Sequence, residues 1–308
     1  ALVAFVQWAG SWLFYSGHGE AVERVAGWVR KTTGKPYILI VEGSGEELRS
    51  KAACGPVREV PGWDLERIEA ALAAGGSKVG AVILDPIQSR FGVVPASDEV
   101  LVSIAELCRS AGALLILDEL YTGFRVHRGG MAGFAGLEPD LAIYGGALGG
   151  GFPLGAVAVR EGLDLEHLEE LEGKCGPLAA SLAAAEAVLS TLKNDAIYER
   201  LEERTVQLEE GLLALAERFG RPMTFNRFGS IFSISMGGEP VSGATSWEAT
   251  NREEYRRLVS GLREEGVLLP LEPSSPGFIS AAHGAKDIEE TLEACERVLM
   301  RLHQEDLP

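Results

Sequence analysis

The run AGALLILDELYTGFRVHRGGMAGFAGLEPDLAIYGGALGGGFPLGAVAV, residues 111–159, decides the fold class. Its apolar opening, residues 113–117, reads as a strand buried on both faces that ends at Asp118. A carboxylate is thereby delivered to the carboxyl edge of a parallel sheet, where α/β proteins place their ligands. A second strand then meets five glycines within residues 145–151, which lets backbone approach a neighbour closely. Working outward, Tyr37–Val41 and Val79–Leu84 are further apolar runs, each followed by a polar or helical stretch. That alternation predicts βαβ crossovers and a mainly parallel α/β sheet covered on both faces.

Helices are expected over residues 64–74 and 98–110, the latter with Ser97 as N-cap and Gly112 just past its end. The opening residues 1–14 read as a buried helix followed by a strand. From Ile197 through Leu201, Leu208, Leu212 and Leu215 to Phe219, apolar residues recur at helical spacing, predicting one long amphipathic helix. Beyond it, residues 230–236 alternate like a strand, 253–265 and 287–302 like helices, and 267–269 and 278–281 like short strands. The division expected is a large α/β domain over residues 1–195 and a smaller α+β domain over 196–308.

Asp and Glu total 45 against 28 Lys and Arg, a formal charge of −17. That balance opposes binding to nucleic acid or anionic lipid, so neither partner is expected. Cys54, Cys108, Cys175 and Cys295 lack metal-ligand spacing, so no metal is expected and a reducing, cytoplasmic setting fits. The opening apolar stretch has no basic flank and is shorter than the ~20 residues a membrane span takes.

The 111–159 run resembles the class III, fold type I aminotransferases that use pyridoxal phosphate, and most closely glutamate-1-semialdehyde aminomutase. The resemblance rests on Leu117-Asp118-Glu119 with Thr122-Gly123-Phe124-Arg125, then Pro139-Asp140-Leu141, the glycine turn, and Pro153-Leu154-Gly155-Ala156. It extends to Val82-Ile83-Leu84-Asp85-Pro86, with Asp85 where Glu is usual, to Pro177-Leu178-Ala179-Ala180, and to Glu265-Gly266-Val267 with Phe278-Ile279-Ser280-Ala281-Ala282-His283. It implies a lysine that forms an internal aldimine, a carboxylate on the pyridine nitrogen, a stacking aromatic ring and donors for the phosphate. By the same resemblance, Asp118 is the carboxylate.

The other positions depart from the pattern. The lysine position is Gly146, and the seven lysines present stand elsewhere, so no catalytic residue is assigned. The phosphate turn reads Ser16-Gly17-His18-Gly19-Glu20-Ala21, with His18-Gly19 in place of Gly-Thr. After Val41-Glu42-Gly43, the stacking ring and its neighbour are replaced by Gly45 and Glu46. An ungapped count puts Glu172 where a partner subunit's threonine would hold the phosphate. The resemblance also leads to the expectation that the family's N-terminal segment is missing before the phosphate turn. A hydrogen bond to a charged group is worth ~1.5–3 kcal/mol, so two or three lost donors remove roughly 4–8 kcal/mol, or about a thousandfold in affinity and more.

These losses lead to the expectation of a degenerate aminomutase-like protein, a pseudoenzyme unable to form the internal aldimine. It would bind no cofactor and serve as a binding, regulatory or partner subunit, in a homodimer or with an active paralogue. Asp118, His18, Gly19, Gly45 and Glu46 are then remnant or degenerate cofactor positions. The alternative is an aminotransferase or aminomutase that holds pyridoxal or pyridoxamine phosphate noncovalently, or works with a lysine-bearing paralogue. His18 as a substitute base and Lys174 as a substitute imine former are weaker, since both lie off the lysine position. The acidic run 161–172 reads as a solvated helix face; the sharper reading has it border a pocket suited to a cation.

Overall fold

The computed structural model describes residues 2–44, 48, 55–163, 167, 176–237 and 239–306. They fall into two compact units, one of residues 1–86 with 96–194 and the other of 87–95 with 195–308. The short segment Ile87–Pro95 thus packs with the C-terminal residues, although it interrupts the first unit in sequence.

The first unit opens with helix α1 (Leu2–Phe5) and strand β1 (Ala9–Tyr15). Of α1, only Phe5 is buried, so the buried helix expected at the start is a single turn with one anchoring ring. Helix α2 (His18–Thr33) follows after two residues, its buried Val22, Val25, Ala26, Trp28 and Val29 spaced to face the sheet. It stops at Gly34, which adopts the left-handed conformation.

Next come β2 (Tyr37–Val41), β3 (Val57–Val60), α3 (Leu65–Gly75), β4 (Val79–Leu84), α4 (Asp98–Ala111), β5 (Leu114–Glu119), α5 (Gly130–Ala135), β6 (Leu141–Tyr144), β7 (Gly155–Arg160) and α6 (Ala179–Thr191). The caps read from the sequence are formed: Ser97 Oγ accepts the Val100 N–H, and Gly112 closes α4 at φ 60°. The sheet order is β1-β7-β6-β5-β4-β2-β3. Strands β3, β2, β4, β5 and β6 are parallel, whereas β7 runs antiparallel to both β6 and β1. The mainly parallel α/β architecture expected is therefore present. All six residues of β4 are buried, as both-face coverage by helices requires.

The second unit holds α7 (Ala196–Arg218), β8 (Met223–Phe228), β9 (Ile231–Met236), α8 (Ala244–Glu248), α9 (Arg252–Glu264), β10 (Gly277–Phe278) and α10 (Ala285–Glu305). Its three strands form an antiparallel sheet in the order β10-β9-β8. Helix α7 buries Ile197, Leu201, Leu208 and Leu212, the periodic residues that mark it in the sequence. Gly211 lets α7 close on α10, since a Cβ there would come within 2.5 Å of Leu292. Residues 267–269 do not form the expected strand. Leu268 is 79% exposed and the segment runs into Pro270, which has no N–H for a sheet ladder.

Candidate active site

Three pieces of backbone converge in the first unit: the end of β5, the turn after β6, and the start of α2. Strand β5 delivers Asp118 to the carboxyl edge of the parallel strands, where the side chain is only 7% exposed as a residue. Its Oδ1 accepts the Leu120 N–H at 3.2 Å and the His18 Nε2–H at 2.8 Å. His18, itself 8% exposed, is the first residue of α2. A helix N-terminus and a strand-end carboxylate are thus joined by one imidazole.

At that helix start Gly17 is extended and gives no side-chain cap. The first ladder bond runs from the Ala21 N–H to the Gly17 carbonyl, so the N–H groups of residues 18–20, Gly19 among them, precede the ladder. They carry the positive end of a 16-residue helix. Glu20 turns back and its Oε2 accepts from Ser16 N (3.2 Å) and Oγ (2.6 Å). An ideal Cβ on Gly145 would lie 3.0 Å from His18 Cβ and 3.5 Å from Cδ2, so the glycine turn rests against the imidazole.

Gly146 stands at φ 47°, and a Cβ there would come 2.6 Å from the Leu120 carbonyl oxygen. Both facts favour glycine at this position over any side chain. Arg125 also reaches this point, its Nη2 3.9 Å from that Cβ position while its Nε donates to the Tyr121 carbonyl at 3.0 Å. Burial lowers the Arg125 guanidinium to about 10. Its nearness to Gly146 was missed from the sequence, where Thr122-Gly123-Phe124-Arg125 served only as a family marker.

The neighbouring carboxylate, Glu119, has a different occupation. It is fully buried and accepts from Thr122 Oγ1 (2.7 Å), Met131 N (2.8 Å) and Ala132 N (2.9 Å). Burial raises its carboxyl above the usual range, against those three donors. It ties β5 to α5 and so fixes the loop that follows Asp118. Ser44, also buried, accepts the Asp85 N–H at 2.6 Å and secures the end of β4.

Of the five cofactor positions read from the sequence, the structure brings Asp118 and His18 into contact and puts Gly19 in the first turn of α2. Gly45 and Glu46 lie outside the described residues, as do Glu172, Lys174, Cys54, Cys175 and most of the acidic run 161–172. Cys108 and Cys295 are buried free thiols, both pushed up to about 12 by burial. No helix among the described residues is long and apolar enough to cross a membrane.

Comparison with known proteins bears on this geometry. Residues 57–282 match the family model for class III aminotransferases. A glutamate-1-semialdehyde 2,1-aminomutase from Brevibacillus brevis is 33% identical over 297 residues, which cover 93% of this chain and 66% of that relative. The chain therefore spans somewhat less than two thirds of that curated relative. Among solved structures, a glutamate-1-semialdehyde aminomutase from Pseudomonas aeruginosa in complex with PMP superposes with a TM-score of 0.83 at 22% identity, covering 98% of this chain and 74% of its own. A transaminase with PLP bound gives 0.80 at 23% identity, covering 99% and 76%.

These relatives overturn the expectation that no cofactor is involved, because the family and its solved members point to pyridoxal phosphate. The physical reason is that the changed positions lose side-chain donors only. A helix start offers backbone N–H groups whatever its side chains, and that start is retained in α2. With 57–282 matched and 93% of this chain aligned at 33% identity to an aminomutase relative, the chain belongs to the class III aminotransferases.

Proposed function

We propose that this chain is a degenerate, glutamate-1-semialdehyde aminomutase-like class III aminotransferase that holds pyridoxal or pyridoxamine phosphate without covalent attachment. On this reading it is inactive as a transaminase on its own and acts as a binding or partner subunit. The observation that carries the reading is Gly146: its left-handed backbone and the Leu120 carbonyl 2.6 Å from a Cβ leave the family's lysine position with neither an amine nor room for one.

The remaining residues fit the two ends of such a cofactor. Asp118 would accept a ring N–H and hold the proton there, since a buried carboxylate beside a cation favours the charged pair. The N–H groups at the start of α2 would face the phosphate, where the helix dipole favours an anion. When bound, the cofactor supplies an electron sink through its protonated ring. The chain's own part is to bind and orient it, with no side chain at position 146 to take or return a proton.

A partner role is supported by an apolar surface in the same unit. Phe152, Leu178 and Leu182 are exposed, Leu178 to 61%, around the glycine turn and the start of α6. A second copy, or a lysine-bearing relative, would cover these residues.

Titration calorimetry with pyridoxamine phosphate tests the binding. The wild-type protein is expected to bind reversibly, and Asp118→Asn to bind about tenfold or more weakly, as loss of a hydrogen bond between charged groups implies. Equal affinities would remove Asp118 from the site.

A further inference from the structure

Resting on that reading, we propose that His18 is a built-in occupant of the cofactor site, which must give up its bond to Asp118 before a ring can enter. The geometry sets the two anchors of the site at opposite ends of one side chain. His18 Cα belongs to the first turn of α2, where the phosphate would sit, and His18 Nε2 reaches Asp118 Oδ1 at 2.8 Å, where the ring nitrogen would sit. Pyridoxamine phosphate is a small rigid ring with a phosphate on one side and a nitrogen on the other. It has to lie along the line that the imidazole already fills.

The imidazole cannot be bypassed on the side of the glycine turn. Gly145 backbone is against it, with an ideal Cβ only 3.0 Å from His18 Cβ. The contact also mimics the one it precludes: an aromatic ring N–H given to the same buried carboxylate. His18 is therefore a positioning residue, keeping Asp118 hydrogen-bonded and desolvated until a ligand ring replaces it. Nothing covalent happens in the exchange; one hydrogen bond to Asp118 is traded for another.

Calorimetry with pyridoxamine phosphate on the whole chain distinguishes the possibilities, comparing wild type with His18→Ala and His18→Gln. Removing the occupant is expected to tighten binding about ten- to hundredfold in His18→Ala, the equivalent of one hydrogen bond to a charged group. His18→Gln keeps an N–H donor and falls between. In protein carrying ring-labelled histidine, the wild-type His18 resonances should also shift on saturation with pyridoxamine phosphate. Equal affinity in all three proteins, or unmoved resonances at saturation, overturns the occupant role and leaves the cofactor reading standing. Weaker binding by His18→Ala also overturns it, by making His18 a ligand of the cofactor. If no protein binds, although thermal melting shows all three folded, the cofactor reading fails and this inference fails with it.

Discussion

At the scale of single residues, the site turns on Gly146, Asp118 and His18. Gly146 has φ 47° and faces the Leu120 carbonyl, so any L side chain there meets both a disfavoured backbone region and a close oxygen. Gly146→Ala is accordingly expected to lower stability by about 1–3 kcal/mol in urea denaturation. An unchanged midpoint would show that the turn relaxes freely and that a lysine could be restored. Asp118 was legible in the sequence as a strand-end carboxylate because an apolar run led straight into it. Its bond to His18 was not, since the two are 100 residues apart and only the folded β1–α2 turn brings them together.

At the scale of elements, local signals and strand boundaries agreed closely. Strands β2 and β4 begin and end where the apolar runs do, because strands buried on both faces leave no polar residue to blur the edges. Helix α4 has its N-cap and its left-handed glycine where the sequence put them. Ser97→Ala is expected to cost about 1 kcal/mol, the usual worth of such a cap, read as a lowered denaturation midpoint. No change would mean that Asp98 and Glu99 in the first turn already supply what the hydroxyl does. Residues 267–269 misled in the other direction. An apolar triplet carries no period long enough to tell a strand from a loop, and Leu268 spends its apolar character at the surface.

At the scale of the molecule, each unit is closed by interactions no motif announces. In the second unit, Arg221 donates through Nη1 to Glu254 and through Nη2 to the Leu302 carbonyl, both at 2.7 Å, and also to Asp306. Arg257 donates to both Asp306 carboxylate oxygens, at 3.1 and 3.0 Å. Those two guanidinium groups hold the Asp306 carboxyl down at about 2 from its ordinary 3.8. A carboxyl lowered in the folded state stabilises above its unfolded pKa and loses that contribution as pH falls through the folded one. The melting temperature of wild type should therefore exceed that of Asp306→Asn at neutral pH, with the gap closing between about pH 4 and pH 2; a constant gap would point to packing instead. The central claim, that this aminotransferase-like chain holds its cofactor without a covalent bond, is tested most directly by intact-mass measurement after pyridoxal phosphate and borohydride. The account predicts reversible binding and an unchanged protein mass. A reduced adduct mapped to one lysine of this chain, at one per chain, would contradict it.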